Sequence, residues 1–202
     1  MKPKEGRIKE LLRERGLDGA IVSSPENFHY VTGFGGHQHT VSRQPGFTLA
    51  VMCSDDKAPT HITTMDFEAA TFRIKSAGLG FVVDPYDTWV GLKTWPEISQ
   101  GAVLPDKTRM ESSADKLEQF VKACDLADKR IGVEMDYLTV PYYNMICEKF
   151  PEAQLVDISD LFVYARSIKT EEEIKMFREL CRIADHGFTQ VSRMAGIWGS
   201  EK

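Results

Sequence analysis

No uninterrupted apolar run in this 202-residue chain is long enough to span a bilayer, so an α-helical membrane protein is not expected. The opening stretch, MKPKEGRIKELLRERG, is charged and amphipathic and lacks the apolar segment of a secretory signal. A cytoplasmic protein is therefore expected, with no membrane partner. Cysteine is scarce. Cys53, Cys124, Cys147 and Cys181 are widely spaced and form no CxxC, which speaks against a zinc site and against a disulfide framework. Buried thiols are the plain expectation. Positive charge is not in excess. A formal net charge of -5 argues against a nucleic-acid partner. Neither GxGxxG nor the Walker Gly-Lys-Ser/Thr occurs, so no phosphate-binding loop is expected. Repeats and low-complexity tracts are also absent.

What is present is an alternation of helical and extended signals. Gly6–Gly16 reads as a helix with Ile8, Leu11 and Leu12 on one side and Gly16 as its stop. Gly19–Ser24 is a short apolar run suited to a buried strand. Phe47–Cys53 and Thr60–Thr64 read as neighbouring strands across the turn-prone SDDKAP. A helix over Asp66–Gly78 and a strand over Gly80–Asp84 follow. Further on come a helix at Ser112–Cys124 and a strand at Arg130–Glu134. Thr139–Phe150 is a helix with Thr139 placed to cap and Pro141 in its first turn. A strand at Ala153–Asp157 and a short helix at Ser159–Arg166 complete the body. The fold class is α/β, with a mixed, largely parallel sheet flanked by helices.

The last helix has the clearest start. Thr170 and Glu173 have capping-box spacing, and Glu171, Glu172 and Glu173 put negative charge at the positive end of the helix dipole. Ile174, Phe177, Leu180, Cys181, Ala184, Phe188 and Val191 share one face. That face asks for a partner. The expected boundary lies at RSIKT, separating residues 1–168 from 169–202.

Candidate chemistry is thin. His37 and His39 stand two apart in GFGGHQHT and could begin a metal site, but no third ligand follows at short range. The favoured account is a polar, glycine-rich surface loop whose glycines permit a tight reversal. His29 and His61 fall in strand-like runs and read as structural. His186 and Asp185 are adjacent on a helix and do not face each other. Ser23 and Ser24 have no nucleophile-elbow context. Glu134 and Asp136 could do acid–base work, though a solvated strand end accounts for them more simply. The aromatic stretch YDTWVGLKTWPE could form a binding loop, though packing explains aromatics more often. Arg43, between the glycine-rich segment and a strand, can offer a planar fork of donors to a carboxylate. On position alone it reads as a solvated cation. No full catalytic set converges by spacing.

The motifs LDGAIVSSPENFHYVTGFGG, RIGVEMDYL and FPEAQLVDISDLFVYARSIKTEEEIKMFRELCRIADHG resemble the amino-terminal domain of the creatinase/prolidase (pita-bread) family. The order Leu-Asp, Asn-x-x-Tyr-x-x-Gly-Phe, Ile-Gly-x-Glu, Arg-x-Ile-Lys-Thr-x-Glu-Glu carries the resemblance, over roughly Gly6 to Val191. It implies a C–N bond hydrolase, most simply an Xaa-Pro dipeptidase, with a creatinase-type amidinohydrolase as the alternative. A non-catalytic protein-binding module is a third possibility, since peptidase-like domains of this architecture can serve binding alone. The resemblance implies a catalytic domain after residue 202 holding a divalent metal pair (Mn, Co or Zn) in the peptidases. It implies no catalytic or metal residue within this chain, which is expected to be inactive alone. The last helix then corresponds to the first of that catalytic domain. A homodimer is implied, with a small-molecule or dipeptide substrate. Arg43 best matches the arginine that reaches the neighbouring subunit's substrate, and His39 is the nearby alternative contact. Val41 stands where the family has an aromatic.

Overall fold

The computed structural model describes residues 3–88, 95–101 and 111–198. The chain divides into two compact units, Met1–Phe162 and Val163–Lys202, each described by itself. Helix α1, Glu5–Glu14, buries Ile8 and Leu12, and Gly16 terminates it at φ +63. Strand β1, Gly19–Val22, is buried along its whole length. It is followed by α2, Pro25–Thr32, and α3, His37–Ser42. Strands β2, Leu49–Cys53, and β3, His61–Thr63, pair antiparallel, as their shared turn suggests. A 3-10 turn, Asp66–Glu68, leads into α4, Ala69–Ser76, and then β4, Val82–Val83.

A short helix α5, Trp95–Ser99, precedes α6, Ser113–Ala123. A reciprocal cap between Ser112 and Asp115 starts α6. Then come β5, Arg130–Val133, α7, Val140–Lys149, β6, Gln154–Asp157, and α8, Ser159–Ser167. Pro141 sits in the first turn of α7, but the Thr139 side chain makes no capping bond.

The six strands form one mixed sheet in the order β4-β3-β2-β1-β5-β6. β1 runs parallel to β5, β5 to β6 and β3 to β4, while β2 runs antiparallel to β1 and β3. Period-two alternation splits the central strands between two faces. Ile21, Leu49, Val51, Ile131 and Val133 pack with Leu117, Phe120 and Val121 of α6 and with Ile146 and Phe150. Ala20, Val22, Ala50 and Met52 face the other way and are equally buried. An aromatic cluster of Phe28, Phe34 and Phe72 packs largely edge-on, with ring centroids 5.5–6.3 Å apart.

Two local readings are corrected. His29 lies on α2, not a strand, because Ser24 caps that helix and Pro25 presets its first turn. His37 and His39 lie on α3, not in a surface loop. Gly33 still reverses the chain at φ +80, closing α2. Gly36 is needed for close approach, since a Cβ there would meet the Glu68 carboxylate and come within 2.9 Å of the Phe72 ring. All four cysteines are free, but only Cys53 is buried, and Cys181 is exposed.

The second unit holds α9, Glu171–Trp198. Thr170 and Glu173 form the expected capping box: Thr170 N donates to the Glu173 carboxylate at 2.7 Å, and Glu173 N donates to Thr170 Oγ1 at 3.4 Å. Phe177, Leu180, Phe188 and Val191 on its apolar face are exposed. No described helix is long and apolar enough to cross a membrane.

Candidate functional site

Parallel strands β1 and β5 end side by side, with Ile21 opposite Val133. The next residues along are Val22–Ser24 on one strand and Glu134 on the other. Glu134 is fully buried, which overturns the reading of a solvated strand end. Its carboxylate accepts from Ser23 N, from Ser24 N at 2.9 Å, from Ser24 Oγ at 2.5 Å and from Asn27 Nδ2 at 2.6 Å. Asp136, two residues on, is exposed and takes no part.

Burying a carboxylate is costly unless donors surround it. Here four do, and two are backbone N–H groups where β1 turns into α2, next to the positive end of that helix. Burial pushes the Glu134 pKa up, and the bonds from Ser24, Ser23 and Asn27 oppose that rise. Sequence reasoning missed this group. The readable signal was Ser24-Pro25-Glu26-Asn27, a cap residue followed by proline and an acid, which marks a helix start directly after a buried strand.

The same short segment is held from the other side. His39 is buried, and its Nε2 donates to the Ser23 carbonyl at 2.7 Å. The Phe28 ring meets the imidazole edge-on at 5.2 Å. Burial lowers the His39 pKa from its ordinary 6.5, against the opposing pull of the Ser23 carbonyl and of Glu68 and Glu26. His39 thus faces inwards. His37, two residues away on a six-residue helix, does not converge with it on a metal. Among the described residues no group of three or more His, Cys, Asp or Glu is placed to hold a metal ion.

Arg43 follows α3 directly. Its N–H donates to the His39 carbonyl at 3.3 Å, and it takes the left-handed conformation at φ 50. That region is unfavourable for a residue with a Cβ and is worth inspection when a non-glycine occupies it. The guanidinium forks onto Glu26 in the first turn of α2, with Nη1 at 2.5 Å from Oε1 and Nη2 at 3.1 Å from Oε2. Both side chains remain about half exposed. The hydrogen bond to Glu26 raises the Arg43 pKa further. Tyr137, one turn past Glu134, is within electrostatic range of Arg43, Glu134 and Glu26, and burial pushes its phenol to about 12.

The structure therefore places His39 on α3, facing inward, and Arg43 directly after it, facing outward. Val41, between them, is exposed. The stretch YDTWVGLKTWPE lies partly outside the described residues. Gln38 of α3 borders a largely apolar cavity of about 520 Å³ with Phe47, Met65, Phe67 and Tyr86.

Comparison with known proteins places this geometry. The family model of the creatinase/prolidase N-terminal domain matches residues 6–168. An uncharacterized peptidase, YqhT of Bacillus subtilis (strain 168), is 27% identical over 186 residues, covering 92% of this chain and 41% of YqhT. An Xaa-Pro dipeptidase of Lactobacillus delbrueckii subsp. lactis is 24% identical over 183 residues, covering 90% of this chain and 42% of the relative. Among solved structures, a dipeptidase from Pyrococcus horikoshii OT3 superposes with a TM-score of 0.65 at 20% identity, covering 93% of this chain and 43% of that one. The chain thus spans about two fifths of the length of these relatives. Matched over most of its length by that one model, the chain belongs to the creatinase/prolidase family, as its N-terminal domain.

Proposed function

We propose that this chain is the oligomerisation and substrate-access domain of a cytoplasmic C–N bond hydrolase of the Xaa-Pro dipeptidase kind, with Arg43 supplying a carboxylate-binding fork. The catalytic residues and any divalent metal pair belong to a separate catalytic domain, and the apolar face of α9 is the surface that domain covers. In a homodimer Arg43 reaches the neighbouring subunit's substrate. The observation that carries this reading is the bidentate grip of Arg43 on Glu26 at the exposed end of α3. In this backbone the guanidinium already holds a carboxylate in the planar two-pronged geometry that a small anionic substrate requires. His39, turned inwards, acts by fixing α3 and makes no direct contact with substrate.

The test is steady-state kinetics of Arg43→Ala in the protein joined to its catalytic domain, with Ala-Pro as substrate. A charge-assisted hydrogen bond contributes about 1.5–3 kcal/mol, so kcat/KM should fall roughly ten- to a hundred-fold. Arg43→Lys should recover only part of the loss, because an ammonium cannot reproduce the fork. A mixed dimer, pairing an Arg43→Ala subunit with a catalytically dead one, locates the contact across the subunit boundary. Unchanged kcat/KM with unchanged melting would return Arg43 to a solvated cation.

A further inference from the structure

We infer that Glu134 is the positioning residue of the Arg43 fork, acting through the Ser23–Asn27 segment that it clamps. The inference rests on the carboxylate-binding role of Arg43 and adds what regulates its geometry.

Arg43 has two attachments, and both end on that segment. Its side chain is held by Glu26, which lies between Ser24 and Asn27. Its backbone is held by the carbonyl of His39, whose imidazole is fixed to the Ser23 carbonyl. Glu134 grips Ser23, Ser24 and Asn27 together, on both sides of Glu26. The segment is thus caught between a carboxylate on its N–H groups and an imidazole on its carbonyl. A shift of the α2 start would displace Glu26 and the anchor of His39 together. Arg43 has no comparable support of its own, being half exposed and in a left-handed conformation that a non-glycine residue does not favour.

The chemistry of Glu134 suits fixing. Its four partners are all donors, so the carboxylate serves as the common acceptor of a buried network. The carboxylate is fully buried and enclosed by groups of the domain itself. A general acid or base needs a reacting group within reach, so a positioning role fits better. Reach to the surface is supplied by Glu26 and Arg43, whose pair is exposed where Glu134 is sealed.

The experiment uses the 202-residue chain and reads the Arg43 side-chain Nε–Hε resonance by NMR, assigned by its loss in Arg43→Lys. Glu26→Gln gives the reference position for an Arg43 released from its partner. Glu134→Gln should move the Arg43 resonance at least halfway to that reference while the chain stays folded. Ser24→Ala and Asn27→Ala, each removing one donor, should move it part of the way. Val121→Ala, a core change on the buried face of α6 away from these groups, controls for general loss of stability and should leave the resonance in place. If Glu134→Gln fails to fold, Ser24→Ala and Asn27→Ala decide.

A folded Glu134→Gln with the wild-type Arg43 resonance would overturn the inference. So would an equal shift in Val121→Ala, which would make the effect general softening. The two proposals fail separately. If Arg43→Ala leaves kcat/KM intact but the resonance still follows Glu134, the positioning stands and the substrate role falls. If Arg43→Ala abolishes kcat/KM while the resonance ignores Glu134, the substrate role stands and the positioning falls.

Discussion

Strand β5 and the residue that follows it belong to different kinds of interior. Ile131 and Val133 point into an apolar layer shared with Leu117, Phe120, Val121, Ile146 and Phe150, held by contacts with no direction. One residue further on, Glu134 enters a polar junction held by four directed hydrogen bonds. Both are sealed from water. The apolar layer tolerates small changes of shape, because neighbouring side chains can settle. The junction does not, because an acceptor removed leaves several donors unpaired at once. The domain thus has a forgiving half that gives stability and an unforgiving corner that sets the outward geometry of Arg43.

Removing each kind of interior should show the contrast in magnitude. Glu134→Ala leaves several buried donors without an acceptor and is expected to cost more, at about 1–3 kcal/mol for each donor stranded. Ile131→Val, at the same strand and equally buried, should cost only about 0.5–1.5 kcal/mol. Urea denaturation of the two variants checks the ordering. Comparable losses would erase the distinction between the two regions.

A gentler probe is pH. His39 has its pKa lowered in the fold, chiefly by burial, so protons bind the unfolded chain more readily than the folded one. The stability it secures is present above 6.5 and is lost as pH falls through the lowered folded value. His61 is lowered by burial as well and acts with the same sign. The stability difference between the wild type and His39→Gln should therefore change in the wild type's disfavour as pH falls below about 6.5. Glu68, Glu26 and Arg43 all act on His39, so replacing any of them should shift where that change begins. An identical pH profile in His39→Gln would mean the imidazole does not titrate with folding.

How much of this could be read from the chain follows from the same contrast. The short apolar run at Gly19–Ser24, the extended stretch Arg130–Glu134 and the stripe Leu117, Phe120, Val121 announce strands and a covering helix because these signals are local. The capping box at Thr170 and Glu173 is likewise local and appears as read. The junction is not local. Glu134 and its donors are 107–111 residues apart, and nothing near Glu134 distinguishes a buried acid from a solvated one. His37 and His39 suggested a loop because the preceding glycines mask a six-residue helix. The inward turn of His39 depends on Ser23 and Phe28, which only the fold supplies. Arg43 was visible as a candidate, but its pairing with Glu26 required α2, whose start signal at Ser24-Pro25 went unused.

If Glu134, the Ser23–Asn27 segment and His39 act as one unit, a double-mutant cycle by urea denaturation shows it directly. Glu134→Gln and His39→Gln share the Ser23 anchor and should be non-additive, with a coupling of roughly 0.5–3 kcal/mol. Glu134→Gln and Leu117→Ala share no hydrogen-bond partner and should add to within about 0.3–0.5 kcal/mol. Additive losses for Glu134 and His39 would contradict the claim and leave two independent buried polar groups in place of a single clamp.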